Sequence, residues 1–202
     1  RVLFRSVMLV VADVSGKGVP AAILLAAVRA AVRVEATRFG NGDLSSFVGR
    51  LNDMTYRDTS SNMFVTMVIA VLDPRKRQLT YCNAGHTQPI LCARDGHMRT
   101  LDIGGCLLGV MPGANYECET LELESGTTVI MYSDGVTDTL NQAGDAYGAQ
   151  QLSDVIASNR HRPAGELCLA INESVEQFQG DAEPFDDVTL LVLQAVDDEQ
   201  TD

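Results

Sequence analysis

Positive charge is scarce in this chain: 15 lysines and arginines stand against 27 aspartates and glutamates, a formal net charge of −12 at pH 7. A nucleic-acid backbone or an anionic membrane surface rewards clusters of Lys and Arg that neutralise phosphate, so neither is expected as the main partner. An acidic balance suits a soluble protein that gathers cations. No apolar run reaches the roughly 20 residues that span a bilayer, so no membrane insertion is expected. The start, RVLFRS, lacks the charged, apolar and small-residue order of a signal peptide. Internal repeats, low-complexity tracts and long linkers are also missing, and 202 residues with 46% hydrophobic content suit one compact domain over 1–202, with an acidic, disordered tail at 197–202. The five cysteines, Cys82, Cys92, Cys106, Cys118 and Cys168, are scattered with no CxxC among them. That pattern fits reduced thiols in a cytoplasmic protein, most of them buried as small apolar residues.

What is present is a β-rich centre between helical stretches. VMLVVA at 7–12 reads as a buried strand, and Pro20 opens an Ala- and Leu-rich helix over 20–37. Asp43 is a good N-cap for a second helix carrying Leu44, Phe47, Val48, Leu51 and Met54 at helical spacing. FVTMVIAVL at 64–72 and QLTYCN at 78–83 form a hairpin across DPRKR. Strands are predicted near 88–93, 97–101, 116–123, 127–132 and 188–196, and helices over 148–158 and 164–179. Helices in two groups around many short strands indicate an α+β fold.

Aspartates recur at the ends of these strands. Asp13 follows VMLVVA, Asp134 follows TVIMYS and precedes Gly135, and Asp186 and Asp187 precede VTLLVL. A buried carboxylate is costly without a cation or donors. Hard divalent ions such as Mg²⁺ and Mn²⁺ prefer carboxylate, carbonyl and water oxygens. Three strand ends converging on such ions is one reading; three ordinary turn caps is the other.

ADVSGKGVPAA, NMFVTMVIAVLDP, YCNAGHTQPIL, LLGV, VIMYSDGVTD and DDVTLLVL follow one another in register. Together they resemble the catalytic domain of the SpoIIE/RsbU-type serine phosphatases, a bacterial branch of the metal-dependent PPM (PP2C-like) family, from about residue 7 to residue 196. The resemblance implies a four-layer αββα sandwich with two central antiparallel sheets flanked by helices. It also implies two Mn²⁺ or Mg²⁺ ions that share a water and present it to phosphoserine or phosphothreonine. On that reading Asp13, the carbonyl of Val14, Asp134 and Asp186 are metal ligands, and Ser15, Gly16 and Lys17 line the phosphate. Gly18 keeps the same loop small, and Asp187 is a turn residue or a support for Asp186. No side chain is a firm catalytic group, because the nucleophile is the metal-bridged water. His86 reads as a hydrogen-bonded structural residue and Ser133 as a support for its turn.

Two departures from the family pattern matter. The family begins with a GGD-type segment whose aspartate bridges both metals, and Arg1 to Ser6 contain no acidic residue. The domain therefore reads as N-terminally truncated, and a site without its bridging carboxylate is expected to hold a metal pair weakly. Animal-type relatives carry a histidine in the first loop that serves as general acid; here Ser15 and Lys17 stand there. The substrate the resemblance implies is a phosphorylated STAS-type antagonist of an anti-sigma factor, and the remaining partners are an upstream sensory domain and a second copy in a homodimer. A phosphatase-like module that binds without hydrolysing remains the alternative.

Overall fold

In the computed structural model the described residues are 6–39, 42–59, 63–184 and 186–197. Gly40, in the FGNGD stretch of the sequence, lies outside them, as does the acidic tail from residue 198 onward. The contacts divide the chain into two compact units. The first runs to His86 and includes Asp102–Glu122, and the second holds Thr87–Leu101 and everything from Leu123 on.

The first unit is built on β1 (Val7–Val14), β2 (Val65–Asp73) and β3 (Gln78–Ala84), hydrogen-bonded in that order. The pairings are antiparallel, with Asp13 opposite Thr66 and Val68 opposite Asn83. The β2–β3 turn is fixed by Asp73, whose Oδ1 accepts from the backbone N–H groups of Arg75 and Lys76 at 3.0 and 3.1 Å. Helix α1 (Val19–Phe39) turns Leu24, Val28 and Glu35 inward, and α2 (Leu44–Asp58) buries Leu44, Phe47, Val48 and Leu51 at the spacing its sequence predicts. Asp43 caps α2 by accepting from the N–H groups of Ser45 and Ser46, both at 3.1 Å. The two helices cover Val14, Val65, Met67, Ile69, Cys82 and Ala84 and are pinned by the Phe39–Phe47 edge contact, with ring centroids 5.5 Å apart.

The second unit contains β4 (Ile90–Cys92) and β5 (Met98–Thr100). It also holds the strand Thr128–Tyr132 and the strand Leu190–Gln194. Two short strands of the first unit precede the latter pair in the chain, so in chain order these are β6 (Gly104–Gly105), β7 (Glu119–Glu122), β8 (Thr128–Tyr132) and β9 (Leu190–Gln194). The second sheet has the order β5-β4-β8-β9, antiparallel throughout. Its core joins Ile90, Cys92, Ile130 and Tyr132 to apolar residues of two helices, Gly148–Asn159 and Ala164–Gln179.

One expectation needs correction. Only Cys82 and Cys92 are buried; Cys106 is exposed, and Cys118 and Cys168 are half-buried. They lie at strand margins and on a helix, where a small side chain is covered from one side only. The sequence also gave no sign of β6, which pairs in parallel with β3 while β7 pairs antiparallel with it. Gly104 makes this possible: a Cβ there would collide with the Asn83 backbone.

Candidate functional site

In the first unit the aspartate in question stands at the end of β1. Asp13 is exposed, and its Oδ1 accepts from the Val14 N–H at 2.8 Å, which turns the carboxylate along the strand. Directly after it the chain is stitched to β2: Ser15 N–H donates to the Phe64 carbonyl at 3.0 Å, and Phe64 N–H donates to Ser15 Oγ at 2.8 Å. Ser15 therefore fixes the loop's exit. Gly16 and Gly18 have φ of 90° and 80°, and a Cβ at either would meet open space. The glycines serve backbone conformation, and together with exposed Lys17 they leave the loop uncovered.

Cross-strand partners share a sheet face, so Thr66 lies beside Asp13. Thr66 Oγ1 is 2.8 Å from His86 Nδ1. Asn83 in turn clamps the backbone of His86, its Oδ1 accepting from His86 N–H at 2.7 Å and its Nδ2 donating to His86 O at 3.0 Å. His86 is buried and structural in this geometry. Thr66 and Asn83 escaped the sequence reading: Thr66 reaches Asp13 only through the register of β1 and β2, and the clamp of Asn83 on His86 is a local turn contact without a periodic signal.

In the second unit Asp134 and Asp186 come from neighbouring strand ends. Tyr132 pairs with Leu190, and one step further Ser133 N–H donates to the Thr189 carbonyl at 3.1 Å. The Ser133 hydroxyl makes two more links, donating to the Asp187 carbonyl at 3.0 Å and accepting from the Thr189 N–H at 2.9 Å. Gly135 is required here because a Cβ would strike the Asp187 backbone. Asp134 opens a one-turn helix, α3 (Asp134–Thr137), and is exposed, with no hydrogen bond to its carboxylate among the described residues. Asp186 is also exposed, and its Oδ1 accepts from the Asp187 N–H at 2.8 Å. Asp187 thus contributes backbone groups to the turn. His97 and His161 are exposed.

The donors are oxygens with unused lone pairs at strand ends, which fits a hard divalent cation. Among the described residues, however, no group of three or more His, Cys, Asp or Glu side chains stands together as a ready metal cluster.

The fold these strands and helices make is that of PP2C-like phosphatase domains. The SiaA-PP2C domain of Pseudomonas aeruginosa superposes with a TM-score of 0.84 at 21% identity, covering 96% of this chain and 78% of that one. The catalytic domain of the serine/threonine phosphatase PstP, solved with two manganese ions, gives 0.69 at 16% identity over 98% of this chain and 94% of its own. The chain belongs to the SpoIIE family, described as Stage II sporulation protein E, whose sequence pattern matches residues 5–196. Phosphoserine phosphatase RsbU of Bacillus subtilis is 29% identical over 190 residues, 94% of this chain. The chain spans 56% of RsbU's length.

Proposed function

We propose that this chain is a metal-dependent protein serine/threonine phosphatase domain that hydrolyses phosphoserine or phosphothreonine on a regulatory protein. The observation that carries the reading is the pair Asp134 and Asp186, exposed on adjacent strand ends and held there by three Ser133 hydrogen bonds. Asp13 and the Val14 carbonyl, at the end of the first strand, are proposed as metal ligands in their own unit. Bound Mn²⁺ or Mg²⁺ would neutralise phosphate oxygens and lower the pKa of the attacking water. The chain's own part is to orient carboxylates, and to leave the Ser15–Gly18 loop open so that a phosphorylated side chain can approach. The likeness to RsbU, a phosphoserine phosphatase, supports hydrolysis of phosphoserine; a phosphorylated STAS-type antagonist of an anti-sigma factor is proposed as the protein that carries it. An upstream sensory domain and homodimerisation are proposed as its controls, and the cytoplasm as its location. No helix among the described residues is long and apolar enough to cross a membrane.

One observation favours a second reading, a phosphatase-like module that binds without hydrolysing: the described residues hold no preassembled cluster of ligands. Phosphate release from a phosphoserine peptide separates the two. Release that needs Mn²⁺ or Mg²⁺ and stops on chelation is expected. Equal turnover without metal contradicts the phosphatase reading, and no turnover at saturating Mn²⁺ favours the binding module.

A further inference from the structure

Cys82 and Cys118 stand in a relation that no other pair among the five cysteines shares. β3 and β7 run antiparallel with Leu79 opposite Leu121, Thr80 opposite Thr120 and Tyr81 opposite Glu119. The same register carried one residue further sets Cys82 opposite Cys118. Side chains alternate along a strand, so both cysteines share a face with Thr80 and Thr120, whose hydroxyls touch at 2.9 Å. Directly opposed residues have Cα separations of about 4.5–5.5 Å, inside the range of about 4.4–6.8 Å that a disulfide spans. Cys82 is fully buried in the core beneath α1 and α2, and Cys118 packs against the margin of that core, half-exposed.

The thiols also differ in reactivity. The contact with Cys118, followed by burial, pushes the Cys82 thiol up, while the hydrogen bond from Cys82 lowers Cys118. The accessible sulfur is therefore the better nucleophile and the buried one waits beside it.

We propose that Cys82 and Cys118 are a redox modification site that closes into a reversible cross-strand disulfide on exposure to hydrogen peroxide. Cys118 sulfur attacks one peroxide oxygen; an S–O bond forms, the O–O bond breaks, and the second oxygen leaves as water with the thiol proton. Cys82 sulfur then attacks Cys118 sulfur; the S–S bond forms, the S–O bond breaks, and the hydroxyl leaves as water with the Cys82 proton. Two thiols lose two electrons, and one peroxide becomes two waters. The bond would tie β3, which leads into Asn83 and His86, to the segment on which α2 begins, where Ser45 Oγ donates to the Tyr116 carbonyl at 2.6 Å. Cross-linking residues this far apart in sequence restricts the unfolded chain, so the oxidised protein melts higher.

The test is peroxide treatment of the full chain, alkylation of the remaining thiols and peptide mapping. The expected product has lost two hydrogens and links the Cys82 and Cys118 peptides, and dithiothreitol reverses it. Cys82→Ala stops the reaction at a Cys118 sulfenic acid that dimedone traps. Cys118→Ser leaves Cys82 unoxidised, and because Cys118 is half-exposed this variant also serves if the buried substitution fails to fold. Exposed Cys106, whose Sγ lies 3.8 Å from the Tyr116 hydroxyl, is the natural competitor. A disulfide that uses Cys106, or alkylation of both Cys82 and Cys118 after peroxide, overturns the proposal.

Discussion

Gly135 shows how one residue governs the geometry of two others. It sits between Asp134 and the backbone of Asp187, where any Cβ would collide. Gly135→Ala is expected to cost about 2–3 kcal/mol as an overpacking change, and to lower metal affinity by more than the lost stability explains, since the strain moves Asp134 away from Asp186. Gly165→Ala is the control: neither glycine has a left-handed φ, and a Cβ at Gly165 meets open space. Denaturant midpoints and Mn²⁺ titrations on both variants check this; equal effects of the two would show that the collision with the Asp187 backbone does not account for the loss. Legibility at this scale divides cleanly. Asp13, Asp134 and Asp186 stand out in the sequence because they lie at the ends of apolar strands, and their role as ligands remains a proposal. Ser133 could be given its supporting role because no base lies near it in sequence. Thr66 could not, since it meets Asp13 only when β1 and β2 are paired; Asn83 clamps His86 only three residues on, a local contact that carries no periodic signal.

Helices α1 and α2 carry the element-scale question. Glu35 of α1 is buried and receives Arg50 of α2 at 2.6 Å and Arg38 at 3.3 Å. The hydrogen bond from Arg50 holds its carboxyl below the ordinary value of 4.5. A depressed carboxylate contributes stability that is complete above the unfolded value and disappears as pH falls through the folded one. The α1–α2 contact is therefore expected to weaken below about pH 4.5, and Glu35→Gln to flatten the acid limb of a stability-versus-pH curve while changing its shape little at neutral pH. An unchanged acid limb would remove Glu35 from the account. Because α1 starts immediately after the loop that follows Asp13, shifts of this pair strain the backbone of Asp13 and Val14. Val28→Ala and Leu51→Ala, both buried in the core of the first unit, are expected to change Mn²⁺ affinity of the folded protein. Leu51→Ala is also expected to cost about 2–5 kcal/mol of stability. If activity follows only the folded fraction and affinity stays fixed, the helices are plain core. Helix α1 was legible from Pro20 and its Ala and Leu content and α2 from its apolar spacing and the Asp43 cap, whereas the two-residue β6 was not, because no periodicity exists in two glycines.

For the molecule as a whole, membership of the SpoIIE family and the PP2C-like fold agree with the acidic, metal-seeking character read from charge and strand ends. The division into two compact units was not legible: the chain crosses between them at His86, Leu101 and Glu122, and no linker marks those points. The central claim, that exposed strand-end aspartates are cation ligands, is tested most directly by titrating this chain with Mn²⁺ in a calorimeter, alongside Asp134→Asn. The account predicts saturable binding by the parent chain, and loss of that binding in Asp134→Asn with circular dichroism and melting temperature unchanged. Equal Mn²⁺ binding by a folded Asp134→Asn would contradict it.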